Sequence, residues 1–404
     1  MVDVIDASRS LRVLHLAFSV GWKSGGVGPA TLGLVRGQRE LGVDSEIWCM
    51  DIDDGSLEAA ASYALQDAIR IWPISPPAVL GFSLKLHREL MSLSKPMFDI
   101  IHHHGIWLAY AHTTASFAKK FGRPTIVAPE GSLYPYALKM SEQKKRLALC
   151  LYERRNLGRA KCMYALSEAE AETFRMYGLG NEIATVGNGV SMDWLESTGD
   201  GLAFRRQFDL DQGKPIILFL GRLHPQKGLD LLIQATFDMK DSAIEHLVVI
   251  AGDGKSKYVK SLRDLVRELG LQKTVRFVGP LYGGNKRNAF AAASVFVLPS
   301  WGDALSIAVL ESLAAGVPVI ATKGCPWREL VTFGCGWWIE GNRQALLDSL
   351  NEALRMNPED LRCMGSNGKE LIRGKYTWPL IAQQSAVLYR YLVNGSVKPG
   401  FVAK

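Results

Sequence analysis

The chain reads as an α/β protein built on two doubly wound parallel sheets, and three observations predict it. Short apolar, β-branched runs alternate with helical patterns from end to end, the signature of parallel strands joined by crossover helices. At 404 residues the chain is too long for one core and suits two domains of ordinary size. Between Ser191 and Gly213 the β-branched content falls and Gly199-Asp200-Gly201 interrupts the pattern, which places a linker there. The domains are therefore expected at 1–190 and 214–376, joined by 191–213.

Taken in order, Arg12 to Phe18 predicts the first strand, and the glycine-rich loop Gly21 to Gly28 leads into a helix from Pro29. Glu46 to Met50, Ile100 to His103 and Pro124 to Ala128 follow as strands, then Cys162 to Leu166 and Ile183 to Val186. In the second half the strands are Ile216–Leu220, Leu247–Ala251, Val275–Val278, Val295–Leu298 and Val317–Ala321. Tyr376-Thr377-Trp378 introduces an amphipathic helix from Ile381 to Val393. No internal repeat is visible.

Composition narrows the class. Apolar content of 48% with 22% charged residues describes a soluble globular protein. Leu11 to Val20 is no signal peptide, because it contains His15 and follows Asp3, Asp6 and Arg9. Apolar runs such as Ala289 to Pro299 are far too short to span a membrane. The six cysteines, at 49, 150, 162, 325, 335 and 363, show no CxxC spacing and read as free thiols in a reducing cytosol. The net charge of +7 fits a peripheral encounter with an anionic membrane; it would also fit nucleic acid, but no recognition motif for that is present.

The most informative segment is Gly221-Arg222-Leu223-His224-Pro225-Gln226-Lys227-Gly228-Leu229-Asp230, which runs from a strand into a helix. Glycine permits a tight turn and close approach to a ligand. Arg222 and Lys227 place a planar fork and a point charge beside a helix N-terminus, a combination suited to a diphosphate. About seventy residues on, Pro299-Ser300-Trp301-Gly302-Asp303-Ala304-Leu305-Ser306-Ile307-Ala308-Val309-Leu310-Glu311 ends another strand and opens a second helix near Ser306. Two carboxylates, Asp303 and Glu311, lie eight positions apart.

Together these motifs resemble the retaining glycosyltransferases of family 4, with their GR-L-x3-KG-x-D segment and paired acids in E-x7-E spacing. The resemblance covers nearly the whole chain. It implies the GT-B fold: two Rossmann-like domains facing a central cleft, with the terminal helix (377–404) crossing back to the first. It also implies a UDP-, GDP- or ADP-sugar donor, no metal or other cofactor, and retention by front-face substitution, the departing phosphate taking the acceptor's proton.

By position, Arg222 and Lys227 would then hold the diphosphate, helped by the amides of Ser306 and Ile307 at the helix start. Glu311 would accept the two ribose hydroxyls. Asp303 stands where the family has a glutamate that meets the transferred sugar; it is one methylene, about 1.5 Å, shorter. Ala304-Leu305-Ser306 replaces the family's Gly-Phe-Gly. Val278 and Leu281, or Tyr282, would meet the base at a strand end. Gly25 and Gly26 resemble the family's glycine loop. His102-His103-His104 matches a His-x-His segment, with His104 nearest the reacting sugar. Consecutive strand residues point to opposite faces, so the three histidines are not expected to converge on a metal.

Glu130 and Tyr134, in Pro129-Glu130-Gly131-Ser132-Leu133-Tyr134, resemble the acceptor loop of bacterial polysaccharide-assembly members, which commonly carry histidine where Glu130 stands. Gly324-Cys325-Pro326-Trp327-Arg328-Glu329-Leu330 and Cys335-Gly336-Trp337-Trp338 match the same subgroup. That favours a lipid-linked saccharide or lipopolysaccharide precursor as acceptor. From Lys139 to Lys161, eight basic residues interspersed with leucines predict a basic amphipathic helix, either a membrane-facing surface or a solvated face. The enzyme is expected in the cytoplasm or peripherally on the inner face of the membrane. Two other readings remain open: a silent nucleotide-sugar-binding scaffold, and a nucleotide-sugar 2-epimerase on the same framework.

Overall fold

The computed structural model describes residues 10–196, 198–241 and 244–404; Asp3, Asp6 and Arg9 lie outside them. The chain divides into two units, Met1–Gly189 with Trp378–Lys404, and Val190–Thr377.

In the first unit, seven strands run parallel: β1 (Arg12–Leu16), β2 (Asp44–Asp51), β3 (Ile69–Pro73), β4 (Ile100–His104), β5 (Thr125–Ala128), β6 (Cys162–Ala165) and β7 (Glu182–Thr185). Their order is β7-β6-β5-β4-β1-β2-β3, and a final strand, Val402–Ala403, adds antiparallel to β7. The strand order reverses between β1 and β4, so the carboxyl ends of these two strands flank a switch point, where ligands bind in such sheets. The helix Val27–Glu40 begins two residues earlier than expected, and Pro29 sits in its first turn, where no amide is needed. The C-terminal helix Trp378–Asn394 packs on it. Gly33 makes this possible: a Cβ there would lie 2.1 Å from the Trp378 ring.

The second unit repeats the plan with β8 (Ile216–Leu220), β9 (Leu247–Ala251), β10 (Val275–Gly279), β11 (Val295–Leu298), β12 (Val319–Thr322) and β13 (Gly336–Ile339). All pairings are parallel, in the order β10-β9-β8-β11-β12-β13, with the switch point between β8 and β11. Central strands β8 and β9 are buried along their whole length, which is why they read as uninterrupted apolar runs.

Three expectations need correction. The segment 191–213 is no linker: it carries the helices Asp193–Glu196 and Gly201–Gln207 and belongs to the second unit. Its glycines serve packing, since a Cβ on Gly199 would lie 2.3 Å from the Arg287 carbonyl oxygen and one on Gly201 2.7 Å from that of Ala291. The strands β3 and β13 escaped the pattern, β3 because it contains Arg70 and Pro73 and β13 because it is four residues long and opens on Gly336. The basic segment is no single helix. Ser141, at φ 53°, separates Pro135–Lys139 from Glu142–Ala148, and a π-helical turn, Leu149–Glu153, leads into Arg154–Arg159. Among the described residues no helix is long and apolar enough to cross a membrane. All six cysteines are unpaired, and Cys49, Cys162, Cys325 and Cys335 are buried.

Candidate active site

In the second unit the two motifs of the sequence meet at the switch point. The turn Pro225–Lys227 follows β8, and Gly228 leaves it at φ 65°. A Cβ on Gly228 would lie 2.0 Å from the Pro299 carbonyl oxygen, so only glycine lets the loop after β8 touch the loop after β11. The contact is stitched by hydrogen bonds. The Gln226 carbonyl accepts from the Trp301 amide at 2.8 Å and from Ser300 Oγ at 3.0 Å, and the Gln226 amide group donates to the Gly302 carbonyl. Lys227 Nζ forms an ion pair with Asp303, both side chains 16% exposed. Asp303 is held from behind, its amide donating to the Gly324 carbonyl at 3.1 Å. Trp338 Nε1 donates to the Cys325 carbonyl at 2.8 Å, so the segments around 325 and 335 brace the acid's loop.

Arg222 is exposed and has no acidic partner among the described residues. Beside it His224 is held below its ordinary pKa, first by burial and then by Arg222, Lys255 and Lys227, a local sign of positive potential. Ser306 is the N-cap of the helix Ile307–Ala315, whose leading amides, those of Ile307 and Ala308 among them, have no partner within the helix. Glu311 is buried in that helix. Burial pushes its pKa up, and Lys286 opposes the shift. Lys286 Nζ reaches both oxygens, at 2.6 Å to Oε1 and 2.5 Å to Oε2. Sequence reasoning missed Lys286; the signal was the pair Lys286-Arg287 early in the helix Gly283–Ala292, just after the strand expected to meet the base. At that strand's end Val278 is half-buried, Leu281 is buried, and Tyr282 is the exposed ring.

In the first unit, the loop after β1 holds Gly25 at φ 73°, and a Cβ on Gly26 would meet nothing within 4 Å, leaving its backbone open to approach. His104 ends β4 and Glu130 follows β5. As expected, His103 faces one side of the sheet, bonding Thr114 Oγ1 at 2.9 Å, while His102 and His104 stack on the other with ring centroids 4.4 Å apart. A third histidine nevertheless converges there, His15 from β1, and the ligand atoms of the three lie within 4.8 Å of one another. That convergence was not foreseen because it crosses strands. Protein partners already engage most of these nitrogens: His15 Nδ1 with His104 Nε2 (2.9 Å), His15 Nε2 with Gln38 Oε1 (2.8 Å), His102 Nδ1 with the Tyr389 hydroxyl (2.7 Å) and His104 Nδ1 with Glu130 Oε1 (2.9 Å).

Burial pulls His104 down to about 3 and pushes Glu130 up to about 8. Glu130 takes φ 52°, an uncommon conformation for a residue with a side chain. The turn is held by Glu170, a residue the sequence did not single out, whose carboxylate accepts from the Gly131 amide at 2.6 Å and the Leu166 amide at 2.8 Å. Tyr134 lies at the N-cap of the helix Pro135–Lys139, its amide donating to the Gly131 carbonyl at 3.3 Å.

Comparison with known proteins gives one consistent answer. Residues 25–189 match the family described as glycosyl transferase 4-like domain, and residues 202–371 match glycosyl transferases group 1. The chain is 27% identical over 304 residues to D-inositol 3-phosphate glycosyltransferase 2 of Catenulispora acidiphila, covering 72% of this chain and 70% of that protein. It is 28% identical over 232 residues to phosphatidyl-myo-inositol mannosyltransferase of Mycobacterium leprae, covering 56% and 59%. Among solved structures, Anabaena HepE in complex with UDP-glucose superposes with a TM-score of 0.76 at 20% identity, over 94% of this chain and 99% of that one. This last likeness supports the fold.

Proposed function

The chain belongs to the glycosyltransferases of the family 4 type and has their GT-B fold, and on that footing we propose a retaining, metal-independent transfer of a hexose-type sugar. The donor is a UDP-, GDP- or ADP-sugar, and the acceptor a lipid-linked saccharide or polysaccharide precursor. The observation that carries the reading is the meeting of Arg222, Lys227, Asp303 and the helix start at Ser306 around one switch point.

Breaking a sugar–phosphate bond builds negative charge on the diphosphate, and this corner gathers donors suited to such charge. Arg222 offers a fork for two phosphate oxygens, and the open amides of Ile307 and Ala308 add the helix dipole. Lys227 is held in place by Asp303, so its ammonium is oriented before the substrate arrives. Asp303 in turn is left with acceptor capacity for a sugar hydroxyl. Glu311, whose carboxylate Lys286 faces across both oxygens, accepts the ribose hydroxyls. Glu130 and His104 belong to the saccharide side. The names of the relatives from Catenulispora and Mycobacterium carry inositol phosphate and phosphatidylinositol, which supports an acceptor bearing phosphate.

A membrane approach is supported by the surface of 139–161, where Met140, Leu147 and Leu151 are exposed among exposed Lys139, Lys144, Arg146, Arg154 and Arg155. The function is tested by incubating UDP-, GDP- and ADP-sugars with a lipid-linked acceptor extract in EDTA. Transfer from one donor with an unchanged anomeric configuration, indifferent to chelation, is the expected result. An inverted product, or turnover that requires a divalent ion, would overturn the retaining or the metal-independent part respectively.

A further inference from the structure

The hydrogen bonds around His104 leave few choices for where the protons sit. Ser385 Oγ donates to the Ala382 carbonyl at 2.8 Å, so it must accept from Gln38 Nε2 at 2.9 Å. This fixes the Gln38 amide, whose Oε1 therefore accepts from His15 Nε2 at 2.8 Å. A neutral His15 protonated on Nε2 has a bare Nδ1, which accepts from His104 Nε2 at 2.9 Å. A neutral His104 protonated on Nε2 likewise has a bare Nδ1. Its partner there is Glu130 Oε1, again at 2.9 Å. Two bare acceptors cannot hydrogen-bond, so one proton lies between His104 and Glu130.

Its position follows from burial. The ring of His104 is buried, and an imidazolium there would be faced by His15 from β1, by His102 and His103 from β4, and by the phenols Tyr110, Tyr164 and Tyr389. Glu153 and Glu170 are the other acids near this loop, each engaged by backbone amides. No lysine or arginine pairs with Glu130 among the described residues. The neutral acid is therefore the favoured partner of the neutral ring. Both ring nitrogens of His104 are consumed inside the unit. The polar atom left over is Glu130 Oε2, which has no partner among the described residues, on a side chain that keeps 10% exposure.

We propose that Glu130 holds the shared proton on Oε1 and donates to His104 Nδ1, and that its Oε2 accepts a hydroxyl of the saccharide substrate, with His104 acting as the positioning residue. The roles expected from the His-x-His segment are thereby exchanged: the acid meets the ligand and the histidine orients it. The assignment of a ligand to Oε2 rests on the transferase reading; the proton assignment does not. It also explains how an acid stands in a loop where an anionic substrate is expected, since the protonated group carries no charge.

The test is made on the full chain labelled with ¹⁵N at histidine, with His104 assigned by its loss in His104→Gln. At neutral pH the His104 ring is expected as the neutral Nε2–H tautomer, and to respond to a single ionisation centred at about 8. In Glu130→Gln the amide N–H replaces the acid proton, so the tautomer persists and the step vanishes. A doubly protonated ring at neutral pH, or a step that survives in Glu130→Gln, would overturn the proposal. Ligand contact is read by saturation-transfer NMR with methyl α-D-mannopyranoside and methyl α-D-glucopyranoside as probes. Glu130→Ala should weaken the better probe about tenfold, and Glu130→Gln should recover most of that. Equal binding by Glu130→Ala would overturn the contact. UDP, GDP and ADP affinity of the wild-type chain is measured alongside: its absence would sink the transferase reading without touching the proton assignment.

Discussion

Replacing Lys286 by methionine removes the counter-charge of Glu311, a carboxylate whose side chain is 9% exposed. The ammonium spans both carboxylate oxygens, and among the described residues the other cation acting on the acid is Arg287, which makes no bond to it. Removing one partner of a buried pair costs about 3–5 kcal/mol. Because Lys286 itself keeps 18% exposure, the lower end applies. The loss also has a ceiling. The stranded carboxyl can escape by taking a proton, which at neutral pH costs at most about 3.4 kcal/mol for a group of ordinary pKa 4.5, and less here because burial already holds the wild-type group above that value. A loss below that ceiling, on the order of 2 kcal/mol at neutral pH, is therefore expected.

The sign of the pH dependence follows. In the variant the folded pKa of Glu311 lies above its unfolded value, so its contribution is intact below about 4.5 and is lost as pH rises. The deficit should shrink on acidification and nearly close at that pH. Adding Glu311→Gln should restore most of the stability, because an uncharged pair needs no compensation. With two units in the chain, global melting is ambiguous, so the assay is native-state hydrogen exchange at the amides of Ile307–Ala315. A Lys286→Met chain within about 0.5 kcal/mol of wild type at neutral pH, or a deficit that grows on acidification, would refute the argument.

Other perturbations have equally definite outcomes. Gly228→Ala meets the Pro299 carbonyl and a left-handed φ of 65° at once, so it should part the two loops and lower turnover about a hundredfold, read by steady-state kinetics. Glu130, with its folded pKa raised, contributes stability that is fully present below its unfolded value and is lost as pH rises through about 8. Wild type should therefore lose up to about 1.4 kcal/mol per pH unit across that range, and Glu130→Gln should flatten this slope in denaturant titrations. Leu147→Ser with Leu151→Ser, both exposed at 60% and 56%, should reduce sedimentation with anionic vesicles about tenfold or more, and neutral vesicles should bind neither chain well.

Much of this architecture was legible because central parallel strands announce themselves. β8, β9 and β11 are buried throughout, so their residues are uniformly apolar and end at glycine or proline. The edge strand β3 was not legible because Arg70 and Pro73 interrupt its apolar run, and β13 because it is only four residues long and opens on Gly336, whereas the edge strand β10 was expected. The glycines of 199 and 201 misled: composition cannot distinguish a glycine that loosens a chain from one that lets two backbones touch. In the site, the structure brings together the residues of the two contiguous motifs, Lys227 with Asp303 among them, while other partners lay outside any motif. Lys286 acts on Glu311 from a different helix, His15 on His104 from a different strand, and Glu170 on Gly131 from a helix beyond β6. Such pairs are set by sheet order, which a linear reading reaches only after the topology is known.

At the centre of the proposed chemistry, Arg222 and Lys227 stabilise the charge of a departing nucleoside diphosphate. Single-turnover transfer from the accepted nucleotide sugar, compared among wild type, Arg222→Ala and Lys227→Ala, tests it most directly. Each variant is expected to slow the chemical step about a hundred- to a thousandfold while still binding donor. Transfer at the wild-type rate in both variants would contradict it.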